Sequence, residues 1–344
     1  MICGEDQFER KVESRLRQLP EPLRAALLPE SAWVRSPTAF DYRCKAVFLP
    51  IIVQGRLDLG AYQRGTHDLL PLPNCLVLHP ALRVLRNSFR AALEPLVVAG
   101  ELKLRTMILR CGRNGATLAT LVLGARPSER QLLQLHSVAS DLVEQSNSSL
   151  VGVHWQLHEA EGDAVAGRGP VLPLAGVELI TETILGRPFT VRPLAFFQLN
   201  PGVLEGMLRE MADQALSLGI HQTAEPKLEL LDLYCGGGVL GLSLGAELGC
   251  EQILGVDVSA PAIDDARENC RRQGREGPSF MLGKTGDLID PARLSAAHLA
   301  VLDPPRSGLR PTALSLICAS GPNDIFYVAC STAALARDAT VLMA

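Results

Sequence analysis

The segment Leu230-Leu-Asp-Leu-Tyr-Cys-Gly-Gly-Gly-Val239 decides the fold. An apolar run ends in an acidic residue and a triple glycine, and a helical pattern follows. That succession predicts a strand, a tight turn and a helix, with a backbone bare enough for a ligand to lie against it. Two later segments repeat the strand-end placement, Asp303-Pro-Pro-Arg-Ser-Gly308 and Tyr327-Val-Ala-Cys-Ser-Thr-Ala-Ala-Leu-Ala-Arg-Asp338. Each follows an apolar run, Leu299–Leu302 and Ile325–Ala329. Both therefore fall at the carboxyl end of a predicted strand, the edge where open α/β sheets bind ligands. A glycine turn, an acidic clamp and a thiol on one edge read as an active site.

Outward from the glycine turn the alternation is regular. Strands are predicted near 228–233, 252–257, 278–282, 298–303 and 324–329, and helices near 239–249, 260–273, 311–319 and 332–343. Five strands with right-handed crossovers make an α/β, doubly wound, Rossmann-like parallel sheet. The front of the chain is different. Residues 5–28 look helical, broken near Pro20 and Pro22. From Tyr42 to about Leu123 short β-rich runs take over (Lys45–Val53, Arg56–Tyr62, Thr106–Leu109, Thr117–Leu123), with a helix over Pro80–Ala99 between them. This predicts an α+β unit. A further amphipathic helix is expected over 128–146, a polar connection over Ser146–Gly169, extended segments over 171–200 and a helix at about 201–218. The domain reading is a helical segment over 1–30, an α+β domain over 31–170 and a catalytic domain over 171–344.

Composition describes a globular chain of 344 residues, 47% hydrophobic and 20% charged, long enough for two cores. No apolar run approaches a membrane span, and the start lacks a signal peptide. The nine cysteines, at 3, 44, 75, 111, 235, 250, 270, 318 and 330, include no Cys-x-x-Cys pair. Neither a zinc site nor a disulfide framework is indicated, and a reducing cytoplasm is the expected setting. The net charge of −4 hides an asymmetry. Residues 1–130 carry 19 Lys/Arg against 12 Asp/Glu, whereas residues 131–344 carry 14 against 25. A basic front half suggests contact with a polyanion, although a merely well-solvated surface would show the same balance.

Asp257 ends the second strand of the sheet, about two dozen residues after the glycines. There a carboxylate can take both hydroxyls of a ribose, a spacing that suits NAD(H) as well as S-adenosylmethionine. Asp303-Pro-Pro-Arg has no evident role in hydride transfer, whereas in methyltransferases that position faces the reacting methyl. A cysteine at a strand end is more often packing than nucleophile. For Cys330 the context differs, because Ser331 or Thr332 can cap a following helix whose dipole stabilises a thiolate. Cys235, Cys250, Cys270 and Cys318 read as packing.

From about Phe196 to Asp338 the chain closely resembles the RNA uracil-5-methyltransferases, which make 5-methyluridine in tRNA and large-subunit rRNA. Phe196-Phe-Gln-Leu-Asn-Pro201, the glycine turn, Asp303-Pro-Pro-Arg-Ser-Gly308 and the Tyr327–Asp338 segment match four of that family's motifs in register. Phe40-Asp-Tyr-Arg and the run from Leu59 to Pro80 resemble its central domain. The resemblance implies an S-adenosyl-L-methionine site on Gln198, Tyr234, Gly236, Gly238, Asp257 and Asp303, with Cys330 as nucleophile. It also implies RNA as partner, rRNA or tRNA presented as a loop or single strand. The charge asymmetry places the RNA contacts mainly in the basic front half, on Arg43, Arg64 and neighbouring cations. No stable protein partner is implied.

Three departures qualify the match. Only Cys75 corresponds to the cysteines that hold an iron–sulfur cluster in some relatives, with Cys3 at best a remnant, so no cluster is expected. An N-terminal β-barrel RNA-binding domain is likewise not expected. Val239 stands where some members have a polar cofactor contact, and Ser331-Thr332 replaces Asn-Pro after the nucleophile. The family's catalytic glutamate lies beyond the position of Ala344 and has no counterpart; either an unmatched residue or a partner supplies the base, or the member is impaired and the expected reaction stalls at the covalent adduct or does not start. The alternatives are a non-catalytic RNA- or cofactor-binding member, and another methyltransferase that uses Asp303-Pro-Pro-Arg to orient an amine.

Overall fold

The computed structural model describes residues 14, 17, 19–25, 34–63, 65–162, 164–221, 228–288 and 290–343. Most of the predicted first helix, together with Cys3 and Arg64, lies outside them; a short helix spans Glu21–Ala25. Two compact units are formed, one of Ser36–Leu204 and one of Met1–Arg35 with Glu205–Ala344.

The Ser36–Leu204 unit is built on a seven-stranded sheet in the order β3-β2-β1-β4-β5-β6-β7. Its strands are β1 (Lys45–Val53), β2 (Arg56–Tyr62), β3 (Leu69–Pro71), β4 (Leu104–Cys111), β5 (Thr117–Leu123), β6 (Leu150–Leu157) and β7 (Val171–Gly176). Gln54 and Gly55, both at positive φ, close the β1–β2 hairpin with the handedness that matches strand twist. One face of the sheet buries Phe48, Leu59, Met107, Leu109, Leu121 and Val153 beneath the helices Pro80–Val98 and Glu129–Gln145. The second helix starts at a reciprocal cap in which the Ser128 hydroxyl accepts from the Gln131 N–H and the Gln131 side chain accepts from the Ser128 N–H. A separate hairpin pairs β8 (Ile180–Ile184) with β9 (Arg187–Val191).

Two expectations are corrected here. The polar connection over Ser146–Gly169 contains β6, which lies parallel to β5 after the Glu129–Gln145 crossover helix. Its polar residues His154 and Gln156 are both 2% exposed, so the strand buries side chains that local polarity places outside. The Gln156 amide is satisfied by the backbone of Gly167 and Gly169. Of the extended segments after Val171, β7 belongs to the front sheet, pairing antiparallel with β6, while β8 and β9 pair with each other in a two-stranded sheet of their own. The units accordingly divide at Leu204/Glu205 rather than at 170/171.

The other unit contains the expected parallel sheet, in the order β12-β11-β10-β13-β14. The strands are β10 (Glu229–Leu233), β11 (Gln252–Asp257), β12 (Ser279–Leu282), β13 (Leu299–Leu302) and β14 (Asp324–Tyr327). Leu231, Leu233, Leu254, Val256, Ala300 and Leu302 form its core. Short helices over Thr285–Leu288 and Pro291–Ala296, absent from the sequence reading, lie between β12 and β13. The chain winds outward from β10 through β11 to β12, then resumes on the other side with β13 and β14. The carboxyl ends of β10 and β13 therefore flank the switch point, where such sheets bind ligands. Among the described residues no helix is long and apolar enough to cross a membrane.

Candidate active site at the carboxyl edge of the parallel sheet

Four strands end in one row. Leu233 of β10 is level with Val256 of β11 and Leu302 of β13, and Leu302 is level with Tyr327 of β14. The residues that leave this row are Tyr234, Asp257, Asp303 and Val328, with Cys330 two positions further on. Hydrogen bonds carry the alignment one step beyond the strands: Tyr234 N–H to Val256 O at 2.9 Å, Asp303 N–H to Leu233 O at 3.3 Å and Val328 N–H to Leu302 O at 2.7 Å.

The turn after β10 is wound through left-handed backbone, with φ of 66° at Tyr234, 53° at Gly236 and 75° at Gly238. A tyrosine in that region is strained by about 1–3 kcal/mol and persists because its surroundings hold it there. A Cβ built on Gly236 would meet nothing within 4 Å, so the turn presents open backbone. One on Gly238 would lie 3.1 Å from the Phe280 ring, so the turn also packs closely on its inner side. Asp257 braces this backbone: Oδ2 accepts the Gly236 N–H at 3.0 Å and Oδ1 the Ser259 N–H at 2.8 Å. Each oxygen keeps a second lone pair for a ligand hydroxyl. Asn269, absent from the sequence reading as a functional residue, donates its Nδ2 to Gly237 O at 2.9 Å and is wholly buried. Open glycines beside an acceptor carboxylate suit a ribose-bearing cofactor.

Asp303 and Asp232 lie in the same electrostatic field. Burial raises the Asp303 carboxyl to about 6. Asp232 is fully buried; burial lifts it to about 7, the charges of Asp303 and Asp257 add to the rise, and the Gly241 N–H opposes it. Its Oδ2 accepts that N–H at 2.9 Å, while Oδ1 has no partner among the described residues. A carboxyl pKa raised in the folded state contributes stability below its unfolded value of 3.8 and loses it as pH climbs towards about 7. Asp232→Asn keeps the acceptor for Gly241 and removes the titration. It is expected to gain stability over the parent between pH 5 and pH 8, by at most about 4 kcal/mol, the equivalent of a three-unit shift. Urea unfolding at the two pH values checks this; a stability difference that does not change with pH refutes it.

The end of β14 carries the thiol. Cys330 is exposed and directly precedes Ser331, whose Oγ caps the Thr332–Leu342 helix by accepting the Ala334 N–H. Of the two caps considered from the sequence, Ser331 is the one used. Cys235, Cys250 and Cys270 are buried, and burial raises the thiols of all three. Cys318 is exposed but sits in the Pro311–Ser320 helix, away from the strand ends. Gln198 lies in the Ser36–Leu204 unit, half-buried between Phe197 and the Pro201–Ser217 helix that Asn200 caps. No group of three or more His, Cys, Asp or Glu side chains among the described residues is arranged to hold a metal ion.

Residues 209–312 match the family model described as the methyltransferase small domain. A protein of Gloeobacter violaceus described as an uncharacterised RNA methyltransferase is 31% identical over 360 residues, which cover 99% of this chain and 75% of the relative. The chain belongs to the RNA methyltransferase family. An Enterococcus faecalis member described in the same words is 31% identical over 309 residues, 87% of this chain and 64% of its own. The chain thus spans just under two thirds of that relative's length. Among solved structures, the Pyrococcus abyssi tRNA (uracil-54, C5)-methyltransferase in complex with S-adenosyl-L-homocysteine superposes with a TM-score of 0.67 at 20% identity. The match covers 89% of this chain and 71% of that one, and shows a shared fold.

Proposed function

We propose that this family member transfers a methyl group from S-adenosyl-L-methionine to C5 of a uridine in RNA, rRNA being the expected substrate, through a covalent bond to Cys330. The observation that carries the reading is the single row of strand ends. It brings an open glycine turn, the Asp257 and Asp303 carboxylates and an exposed cysteine to one edge of one sheet.

Tyr234, Gly236, Gly238 and Asp257 are the residues of the parallel-sheet unit suited to hold the cofactor, Asp257 through ribose hydroxyls, with Asp303 towards the methyl group; the assignment of Gln198 stays an expectation of the family resemblance. The chemistry supplied by bound S-adenosylmethionine is an electrophilic methyl on a positively charged sulfur. Uracil C5 is a poor nucleophile, and the thiol answers that deficiency. The Cys330 thiolate bonds to C6, and the displaced electron pair moves to O4 as an enolate whose C5 can take the methyl. Removal of the C5 proton, which re-forms the C5–C6 double bond and expels the thiolate, needs a base, and none of the residues assigned to this site supplies it. The target base has to leave its stack to reach the thiol, which favours loops and single strands.

RNA contact is assigned to the front unit, with the charge more localised than the sequence halves imply. Residues 36–130 carry 13 Lys/Arg against 6 Asp/Glu, and residues 131–204 carry 3 against 7. Two of the cations are internal: Arg86 pairs with Asp58, and Arg110 is buried and donates to Ala195 O. Arg43, Lys103, Arg113, Arg126 and Arg130 are exposed, and Arg64 lies outside the described residues. Replacing Arg43, Arg126 and Arg130 together by Gln is expected to weaken RNA binding about tenfold or more at low salt and to flatten its salt dependence. Filter binding across a salt series checks this; an unchanged slope removes these residues from the interface.

A further inference from the structure

Asp338 belongs to none of the groups assigned above, yet its side chain is wholly buried and fully bonded. Oδ2 accepts the Leu309 N–H at 2.7 Å and the Tyr327 hydroxyl at 2.6 Å. Oδ1 accepts Arg337 Nε at 2.8 Å and Nη2 at 2.5 Å, and the same Nη2 donates to Ser307 O at 2.8 Å. The Asp338 carboxylate and the Arg337 guanidinium it holds therefore join three pieces of chain: the Asp303–Leu309 loop, at Leu309 through Asp338 and at Ser307 through Arg337, the end of β14, and the helix that begins two residues after Cys330. Gly308 gives a second, independent sign of how closely they meet. It sits at φ 79°, and a Cβ there would fall within 2.5 Å of both Arg337 Nη2 and Asp338 Oδ2.

The titration of the group agrees with this bonding. Burial pushes the Asp338 carboxyl up, but the hydrogen bonds from Tyr327, Leu309 and Arg337 outweigh it and hold the group below the usual carboxylate range. Tyr327 responds in the opposite sense, its phenol raised by burial and by its bond to the carboxylate. The Arg337 side chain is 56% exposed, so the ion pair adds little stability of its own; what the buried carboxylate fixes is geometry. Here the fixed geometry is that of the loop bearing Asp303 relative to the turn bearing Cys330.

We propose that Asp338 is a positioning residue that holds the methyl-facing Asp303 loop and the Cys330 turn in one spacing, acting through Leu309, Tyr327 and Arg337. The inference rests on the proposed uridine chemistry for its second measurement and not for its first. The first is the dissociation constant for S-adenosylmethionine by calorimetry on the full chain. Asp338→Asn is expected to weaken it about tenfold, because the Asp303 loop loses its anchor. Tyr327→Phe, which removes one hydroxyl and keeps the ring, is expected to weaken it less and in the same direction. The second is the single-turnover rate of covalent adduct formation at saturating 5-fluorouridine RNA. It is expected to fall at least tenfold in Asp338→Asn, with the RNA dissociation constant unchanged and the melting temperature of Tyr327→Phe within a few degrees of the parent. A merely structural residue would lower melting and leave the saturated rate of the folded protein alone, and that result overturns the proposal. So does an unchanged cofactor affinity in a folded Asp338→Asn. A parent protein that binds S-adenosylmethionine yet forms no adduct counts against the uridine chemistry, and the cofactor measurement still decides the role of Asp338. A parent that fails to bind S-adenosylmethionine overturns both.

Discussion

Cys330→Ser is expected to lower single-turnover methyl transfer to RNA by at least ~10³-fold, about 4 kcal/mol of transition-state stabilisation. A serine hydroxyl stays protonated at neutral pH and adds to C6 far less readily than a thiolate. The position offers little packing to lose, since Cys330 is exposed and lies outside the capped Thr332–Leu342 helix. The variant is therefore expected to fold and to bind S-adenosylmethionine with the affinity of the parent. Cys318→Ser supplies the control: that cysteine is exposed too, but sits in a helix away from the sheet edge, and its loss is expected to leave transfer unchanged. Radiolabel transferred from the methyl donor, counted under single-turnover conditions, measures both. Equal rates for Cys330→Ser and the parent would return this cysteine to the ordinary surface.

Asp257→Ala is expected to weaken S-adenosylmethionine binding at least tenfold, or about 1.4 kcal/mol. Two losses combine. The ribose hydroxyls lose their acceptor, and the Gly236 and Ser259 N–H groups lose the oxygens that hold the glycine turn in shape. Asp257→Asn separates them, because an amide oxygen can keep one of the two backbone contacts while the charge is lost. Calorimetry on both variants is expected to rank the parent above Asn and Asn above Ala. Parent-like affinity in Ala would detach Asp257 from the cofactor.

The parallel sheet is legible in the sequence because its strands are short apolar runs that end abruptly in glycine, aspartate or proline. Buried parallel strands need continuous apolar sequence, and a strand end needs a residue that breaks it. Both signals are local, so Tyr234, Asp257, Asp303 and Cys330 could be placed on one edge before any coordinates. Strand β6 carries that signal only in its first half, Leu150–Val153, before polar residues interrupt it. One of its faces holds His154 and Gln156, both buried, and Gln156 finds its partners in the backbone of Gly167 and Gly169, 11 and 13 residues away. The role of Asp338 has no local signal either. Its partners Leu309 and Tyr327 stand 29 and 11 positions away, and only the folded sheet brings them together. The charge surplus of the front half was visible as a count, but not which cations are spent inside, as Arg86 is on Asp58.

The covalent bond is the claim on which the proposed chemistry turns, and intact mass spectrometry tests it directly. The full chain is incubated with S-adenosylmethionine and RNA carrying 5-fluorouridine in loops, where fluorine at C5 cannot be removed as a proton and the adduct persists. The expected result is one protein–RNA adduct, with the fragment containing Cys330 carrying the methylated fluorouridine, and none in Cys330→Ser. Methyl transfer to RNA without any adduct, or an adduct on a different residue, would contradict the assignment of Cys330 as the nucleophile.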